Sequence, residues 1–194
     1  ALQTVAGVDV IVAAVGESSE MTGESSSRSN LELPDAQRDL LTALKKTGKP
    51  IVLVYFAGRT TVMTWETENF PSILNVGFGG SEAGDAICDV LFGDKVPSGK
   101  LTASMPKNMG QIPIYYNHLP TGRPLPEGKW FTKFRSNYLD VDNDPLYPFG
   151  YGISYTTFAY GQPSLSSTVM NSTDGSLTVT VPVTNTGAYD ADEI

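Results

Sequence analysis

VDVIVAAV at residues 8–15 is a continuous apolar run with a single acid near its start, and IVLVYF at residues 51–56 repeats the pattern. Runs of this length, rich in Val and Ile, suit strands buried on both faces of a parallel sheet. Between them lie a long polar stretch, ESSEMTGESSSRSN (17–30), and a helical signal. Pro34 and Asp35 fit a first helical turn, Leu40, Leu41 and Leu44 make an apolar stripe, Lys45 and Lys46 close the last turn, and Gly48 can end it. ILNV at 73–76 reads as a third strand, followed by a glycine turn and a helix with Ala86, Ile87, Val90 and Leu91 on its buried face, ended by Gly93. A short strand is expected near 101–104. Strands alternating with helices define an α/β class with a mainly parallel sheet flanked by helices.

This α/β layer is expected over residues 1–106. Residues 107–159 form a long wrapping region of the same domain, rich in Pro, Gly and Tyr, the kind of irregular stretch that covers or builds a site. From residue 160 the period changes: Leu177, Val179, Val181 and Val183 alternate with polar residues, as in a half-exposed antiparallel strand. About 35 residues remain, against ~100 for a fibronectin- or immunoglobulin-like sandwich, so 160–194 reads as the start of one that is cut short. ALQTVAG at the other end reads as the tail of a helix.

Composition narrows the chemistry. The chain has 194 residues, 40% of them hydrophobic, with a formal net charge of −8, which allows a packed core and argues against nucleic acid as a partner. No apolar run reaches the ~18 residues of a membrane span. One cysteine, Cys88, and one histidine, His118, exclude an intrachain disulfide and remove most zinc chemistry. No metal or other cofactor is implied. Cys88 is expected to pack on the buried side of its helix. The turn Gly77–Gly84 departs from a dinucleotide fingerprint because Glu82 stands where the third glycine belongs, and Leu101 after Gly99-Lys100 breaks a phosphate-loop pattern.

Two segments are candidates for chemistry. The loop 17–30 leaves the carboxyl end of the first strand, where open α/β sheets place ligands, and holds Glu17, Glu20, Glu24 and Arg28. It reads either as a solvated surface loop or as the seat of a general acid that a partner surface would desolvate. The aromatic loop carries Tyr115, Tyr116, Trp130 and Phe131 near Arg123 and Lys133, which suits a sugar or an interface with another domain.

VGESSEMTGESSSRSNLELPDAQRDLL, TGKPIVLVYFAGR, GSEAGDAICDVLFGD, VPSGKLTASMP, GQIPIYYNH with TGRP, and PLYPFGYGISYTTFAY, in this order, resemble the C-terminal region of family 3 glycoside hydrolases, most closely the periplasmic β-glucosidases. The resemblance implies a retaining β-glucosidase acting on terminal β-D-glucosyl residues of a glucoside or oligosaccharide, periplasmic or secreted. An N-terminal barrel domain would supply the nucleophilic Asp, an α/β sandwich the acid/base Glu, and a fibronectin type III-like domain would follow. By position, Glu24 in GESSSR matches the acid/base, with Glu20 the alternative. Arg28 and Arg123 are the candidate substrate contacts, and Arg28 is equally placed to hold the loop or the carboxylate. A general acid near neutral pH must hold its proton, and burial against the barrel would favour that. Without the barrel the chain is expected to be inactive. The competing reading is a non-catalytic carbohydrate-binding or structural module.

Overall fold

A computed structural model describes residues 2–170 and 175–194. The expected C-terminal β segment, 160–194, therefore includes four positions outside the described residues. The chain divides into two compact units: Ala1–Ala83 with Leu101–Tyr151, and Gly84–Lys100 with Gly152–Ile194.

The first unit is built on a three-stranded, all-parallel sheet in the order β1 (Ile11–Gly16), β2 (Ile51–Phe56), β3 (Ser72–Asn75). Ile11 pairs with Ile51 and Gly16 with Phe56, while Val52 pairs with Ser72. The register aligns the carboxyl ends of β1 and β2 residue for residue. Helix α1 (Asp35–Lys45) returns the chain from β1 to β2, as a parallel pair requires. Its stripe buries Leu41 completely and Leu44 nearly so, with Leu33 just ahead of the helix joining them. Leu40 lies outside that stripe and is exposed, because it is one residue, or ~100°, off the buried line. Gly48, with φ +72°, follows the last turn and donates its N–H to Lys45 O at 3.1 Å, as expected of a terminating glycine.

β2 is the central strand and is buried along nearly its whole length, with Leu53 and Tyr55 in the core. β1 departs from the expectation of burial on both faces: Val12 and Ala14 are exposed while Ile11, Ala13 and Val15 are buried. As an edge strand it is covered on one face, and the valines of VDVIVAAV that precede or alternate with the core positions meet solvent. Thr4–Gly7, expected as the tail of a helix, forms one 3-10 turn.

A six-residue helix, α2 (Thr64–Asn69), was not expected from its sequence and inserts buried Glu66 and neighbouring Phe70 beneath the sheet connection. The strand expected near 101–104 is absent among the described residues. Leu101 and Met105 instead hydrogen-bond to 146–151, with Leu101 N to Tyr151 O and Met105 N to Tyr147 O both at 2.8 Å, leaving only an isolated bridge. The wrapping region is pinned by buried Gln111, whose Nε2 donates to Asp142 O at 2.9 Å and Asp144 O at 3.1 Å.

The second unit contains α3 (Ala83–Phe92) and two antiparallel pairs, β4 (Phe158–Tyr160) with β7 (Val183–Asn185) and β5 (Ser164–Leu165) with β6 (Val179–Thr180). Ile87, Val90 and Leu91 of α3 are half-buried, but Ala86 and Cys88 are exposed. The expected burial of both is thus corrected: no residue of α3 is fully buried, so a position one step off the Ile87–Leu91 line faces solvent. No helix among the described residues is long and apolar enough to cross a membrane.

Candidate active site on the loop after β1

The loop of interest begins where β1 ends. Gly16 has φ +134°, a conformation open to glycine, and α1 clasps it from both sides: Gly16 N donates to Gln37 Oε1 at 2.8 Å and Gln37 Nε2 donates to Gly16 O at 2.9 Å. The next amide, Glu17 N, donates to Phe56 O at 2.8 Å, extending the β1–β2 ladder by one step.

Glu17 then turns inward. Its side chain is only 1% exposed, and its carboxylate accepts from Arg28 Nη1 at 2.9 Å and from Arg59 Nε at 3.2 Å. A buried carboxylate needs this: two guanidinium partners offset the loss of water. Arg59 Nη2 also donates to Met21 O and Ser26 O, both at 2.7 Å, and Arg28 Nη2 donates to Glu32 O at 3.1 Å. Two arginines thereby tie the strand ends to three separate backbone points of the loop and its exit.

Held in this frame, the loop makes two tight turns. Met21 N donates to Ser18 O at 3.0 Å and Ser26 N to Gly23 O at 3.2 Å. In the second turn Glu24 and Ser25 are the central residues, and Ser25 has φ +60°, the left-handed conformation that a type II turn demands at that place and that glycine normally fills. Gly23, at φ +115°, precedes it. Glu24 thus stands at the tip of a turn, its side chain exposed and outside every ion pair found among the described residues. Glu20 is also exposed, with only a 3.5 Å contact from the adjoining Ser19 hydroxyl.

A cavity of about 310 Å³ opens on this loop, lined by Thr22, Gly23, the Ser25–Ser27 run, Gly58, Arg59 and Phe78, so that the residues on either side of Glu24 face it. Gly58 leaves room for these side chains. A Cβ at that position would lie 2.5 Å from Phe78 Cε2 and would also collide with the Thr22 hydroxyl, so the missing side chain is what lets Phe78 and Thr22 close over the backbone. Phe78 itself is 72% exposed and presents an aromatic surface at the rim.

Of the residues singled out in the sequence, Arg28 is brought to Glu17 and not to Glu24, which makes it a brace of the loop. Arg123 is exposed on the wrapping region, its carbonyl accepting from Ser136 N at 2.9 Å, and its guanidinium makes no ion pair among the described residues. Arg59 escaped the sequence reading. The available signal was the placement of Glu17 directly after a buried strand, where an acid needs a cationic partner, and of Arg59 three residues after the end of the neighbouring strand. Among the described residues there is no group of three His, Cys, Asp or Glu side chains that could hold a metal ion.

The parallel sheet with its returning helix defines an α/β domain, and the acidic loop stands beyond the carboxyl end of a strand, where open α/β sheets place their ligands. The particular family follows from comparison: the chain belongs to glycosyl hydrolase family 3, whose C-terminal domain model matches residues 1–155. It is 54% identical over 187 residues to a periplasmic β-glucosidase of Salmonella typhimurium, spanning 96% of this chain and 24% of that protein. A β-xylosidase of Formosa agariphila is 42% identical over 186 residues, again 96% of this chain and 24% of the relative. The crystal structure of a β-glucosidase from Listeria innocua superposes with a TM-score of 0.86 at 41% identity, covering 94% of this chain and 25% of that one. The chain therefore spans about a quarter of the length of the relatives it matches.

Proposed function

We propose that this chain is the acid/base portion of a retaining β-glucosidase, with Glu24 as the group that protonates the departing glycosidic oxygen and then activates water. The observation that carries the reading is the presentation of Glu24: an unpaired carboxyl at the tip of a turn with a left-handed residue behind it, its two chain neighbours Gly23 and Ser25 lining an open cavity at the carboxyl ends of β1 and β2. Glycoside hydrolysis needs two carboxyl groups flanking the bond, separated by ~5–5.5 Å in a retaining enzyme. The second comes from an N-terminal barrel domain in the intact protein, and the chain alone is inactive. In the first step the barrel carboxylate attacks the anomeric carbon as Glu24 delivers its proton. In the second, Glu24 takes a proton from water as the glycosyl-enzyme bond breaks.

A glucoside substrate and a periplasmic or secreted location accord with the 54% identical Salmonella periplasmic β-glucosidase, against 42% for the xylosidase. Exposed Arg123 offers donors and the exposed Tyr115, Tyr116 and Trp130 offer aromatic faces to a sugar from the wrapping region. The antiparallel pairs after residue 158 begin a fibronectin type III-like domain.

The test is Glu24→Ala in the intact protein, assayed on aryl β-glucosides with good and poor leaving groups, with and without azide. The expected result is a fall in kcat/KM of roughly 10²–10⁴-fold confined to the poor leaving group, while turnover of the activated substrate, slowed by the missing base, is restored by azide with formation of the β-glucosyl azide. Near-normal turnover of both substrates would move the role to Glu20 or off the chain.

A further inference from the structure

We infer that Glu17 and Arg59 are positioning residues for proton transfer at Glu24, forming a buried clamp that sets where the acid stands. The inference rests on the acid/base reading of Glu24 and extends it to two residues that act through the position of Glu24.

One guanidinium does three things at once. Arg59 Nε binds the buried Glu17 carboxylate at 3.2 Å, while its Nη2 holds Met21 O and Ser26 O, each at 2.7 Å. Those two carbonyls belong to residues three before and two after Glu24, so the turn that carries Glu24 is fastened on both flanks to one rigid plane. Glu17 is anchored in turn by its own amide to Phe56 O at 2.8 Å, and its carboxylate recruits Arg28, which secures the loop exit at Glu32 O. The clamp is therefore built on the hydrogen-bonded ends of β1 and β2 and transmits that position to the turn.

The backbone inside the clamp carries strain that free loops discard. Ser25 is held at φ +60° although serine disfavours it, and such a conformation persists where surrounding contacts over-determine it. The planar fork of arginine suits this task, since it meets several acceptors in a fixed geometry. A lysine ammonium at the same place is a single point charge on a flexible stem. A proton donor displaced by ~1 Å from its working geometry loses on the order of 10²-fold in rate, so a clamp of this kind acts on catalysis through the position of Glu24.

The experiment compares Arg59→Lys, Glu17→Gln and Glu24→Ala in the intact protein. The readout is kcat/KM over a series of aryl β-glucosides whose leaving groups run from activated to poor. The rate on the most activated substrate, which needs no proton, counts the folded enzyme, so the ratio of poor to activated is independent of partial unfolding. The expected result is a ratio lowered by roughly 10–100-fold in both clamp variants, a steeper dependence of rate on leaving-group pKa, and partial rescue by azide. A uniform fall on every substrate, with the ratio unaltered, overturns the inference and leaves the clamp a structural support. Glu24→Ala separates the two readings. If it shows the leaving-group pattern and the clamp variants do not, only the clamp fails; if it shows none, the acid/base reading itself falls.

Discussion

Replacing Gly16 by alanine strikes the point where strand, helix and loop meet. A Cβ there would penetrate the Phe56 carbonyl oxygen and lie 2.7 Å from its carbon and 2.8 Å from Phe56 N, all backbone atoms that no side-chain rotation can clear. The φ of +134° is itself closed to alanine. Relief requires β1 and β2 to part at their carboxyl ends, which gives up the Glu17 N to Phe56 O bond and the two hydrogen bonds with Gln37. Backbone strain of about 1–3 kcal/mol and three hydrogen bonds of about 1 kcal/mol each sum to roughly 4–6 kcal/mol. Against a total stability of about 5–15 kcal/mol this is severe. Urea denaturation followed by Trp65 fluorescence measures it, because Trp65 packs edge-on against buried Phe70 at 5.6 Å. Gly48→Ala is the matched control: it also has positive φ, +72°, but nothing lies within 4 Å of its added Cβ, so about 1 kcal/mol is expected. Equal losses in the two variants would refute the reasoning, since the clash with Phe56 and the hydrogen bonds its relief gives up exist only at Gly16.

Glu66 in α2 is fully buried and both its carboxylate oxygens lack partners among the described residues; burial pushes its pKa above the ordinary 4.5, with the Arg38 charge acting the other way. The folded state thus binds this proton more tightly than the unfolded chain, and the stability it confers is complete below about pH 4.5 and declines as pH rises through the folded-state value. Glu66→Gln, which cannot ionise, is expected to match the parent near pH 4 and exceed it at pH 8 in thermal unfolding, and equal pH slopes would show that the carboxyl ionises freely. Cys88 is exposed on α3, so a thiol reagent should label the native protein stoichiometrically, and Cys88→Ser should change stability by less than ~0.5 kcal/mol. A thiol that reacts only in denaturant would restore the buried placement expected from the helical period.

Much of the first unit was legible before any coordinates. The Val- and Ile-rich runs announced β1 and β2, ILNV announced β3, and Pro34, Leu41, Leu44 and Gly48 outlined α1. These signals are local, being carried by residues a few positions apart on one element. The errors came where burial depends on what lies opposite. Val12 has the residue type of a core strand but stands on an edge, and Cys88 sits one step off a stripe that is itself only half-covered. α2 is six residues long, too short to show a period.

The site divides along the same line. From the sequence came the polar loop at the end of the first strand, and from the resemblance the reading of Glu24 in GESSSR as the acid/base. Tertiary structure decided the rest. Glu17 and Arg59 are 42 positions apart and meet because the parallel register sets Gly16 beside Phe56, which places the residues following both strands together. Arg28 is nearer in sequence to Glu24 than to Glu17 yet pairs with Glu17, since burial makes that carboxylate the one in need of a cation while Glu24 stays in water. Residue type and spacing determine which elements form and where an acid is offered; which charges meet depends on strand register and on the cost of leaving a buried charge alone, and neither exists until the chain has folded.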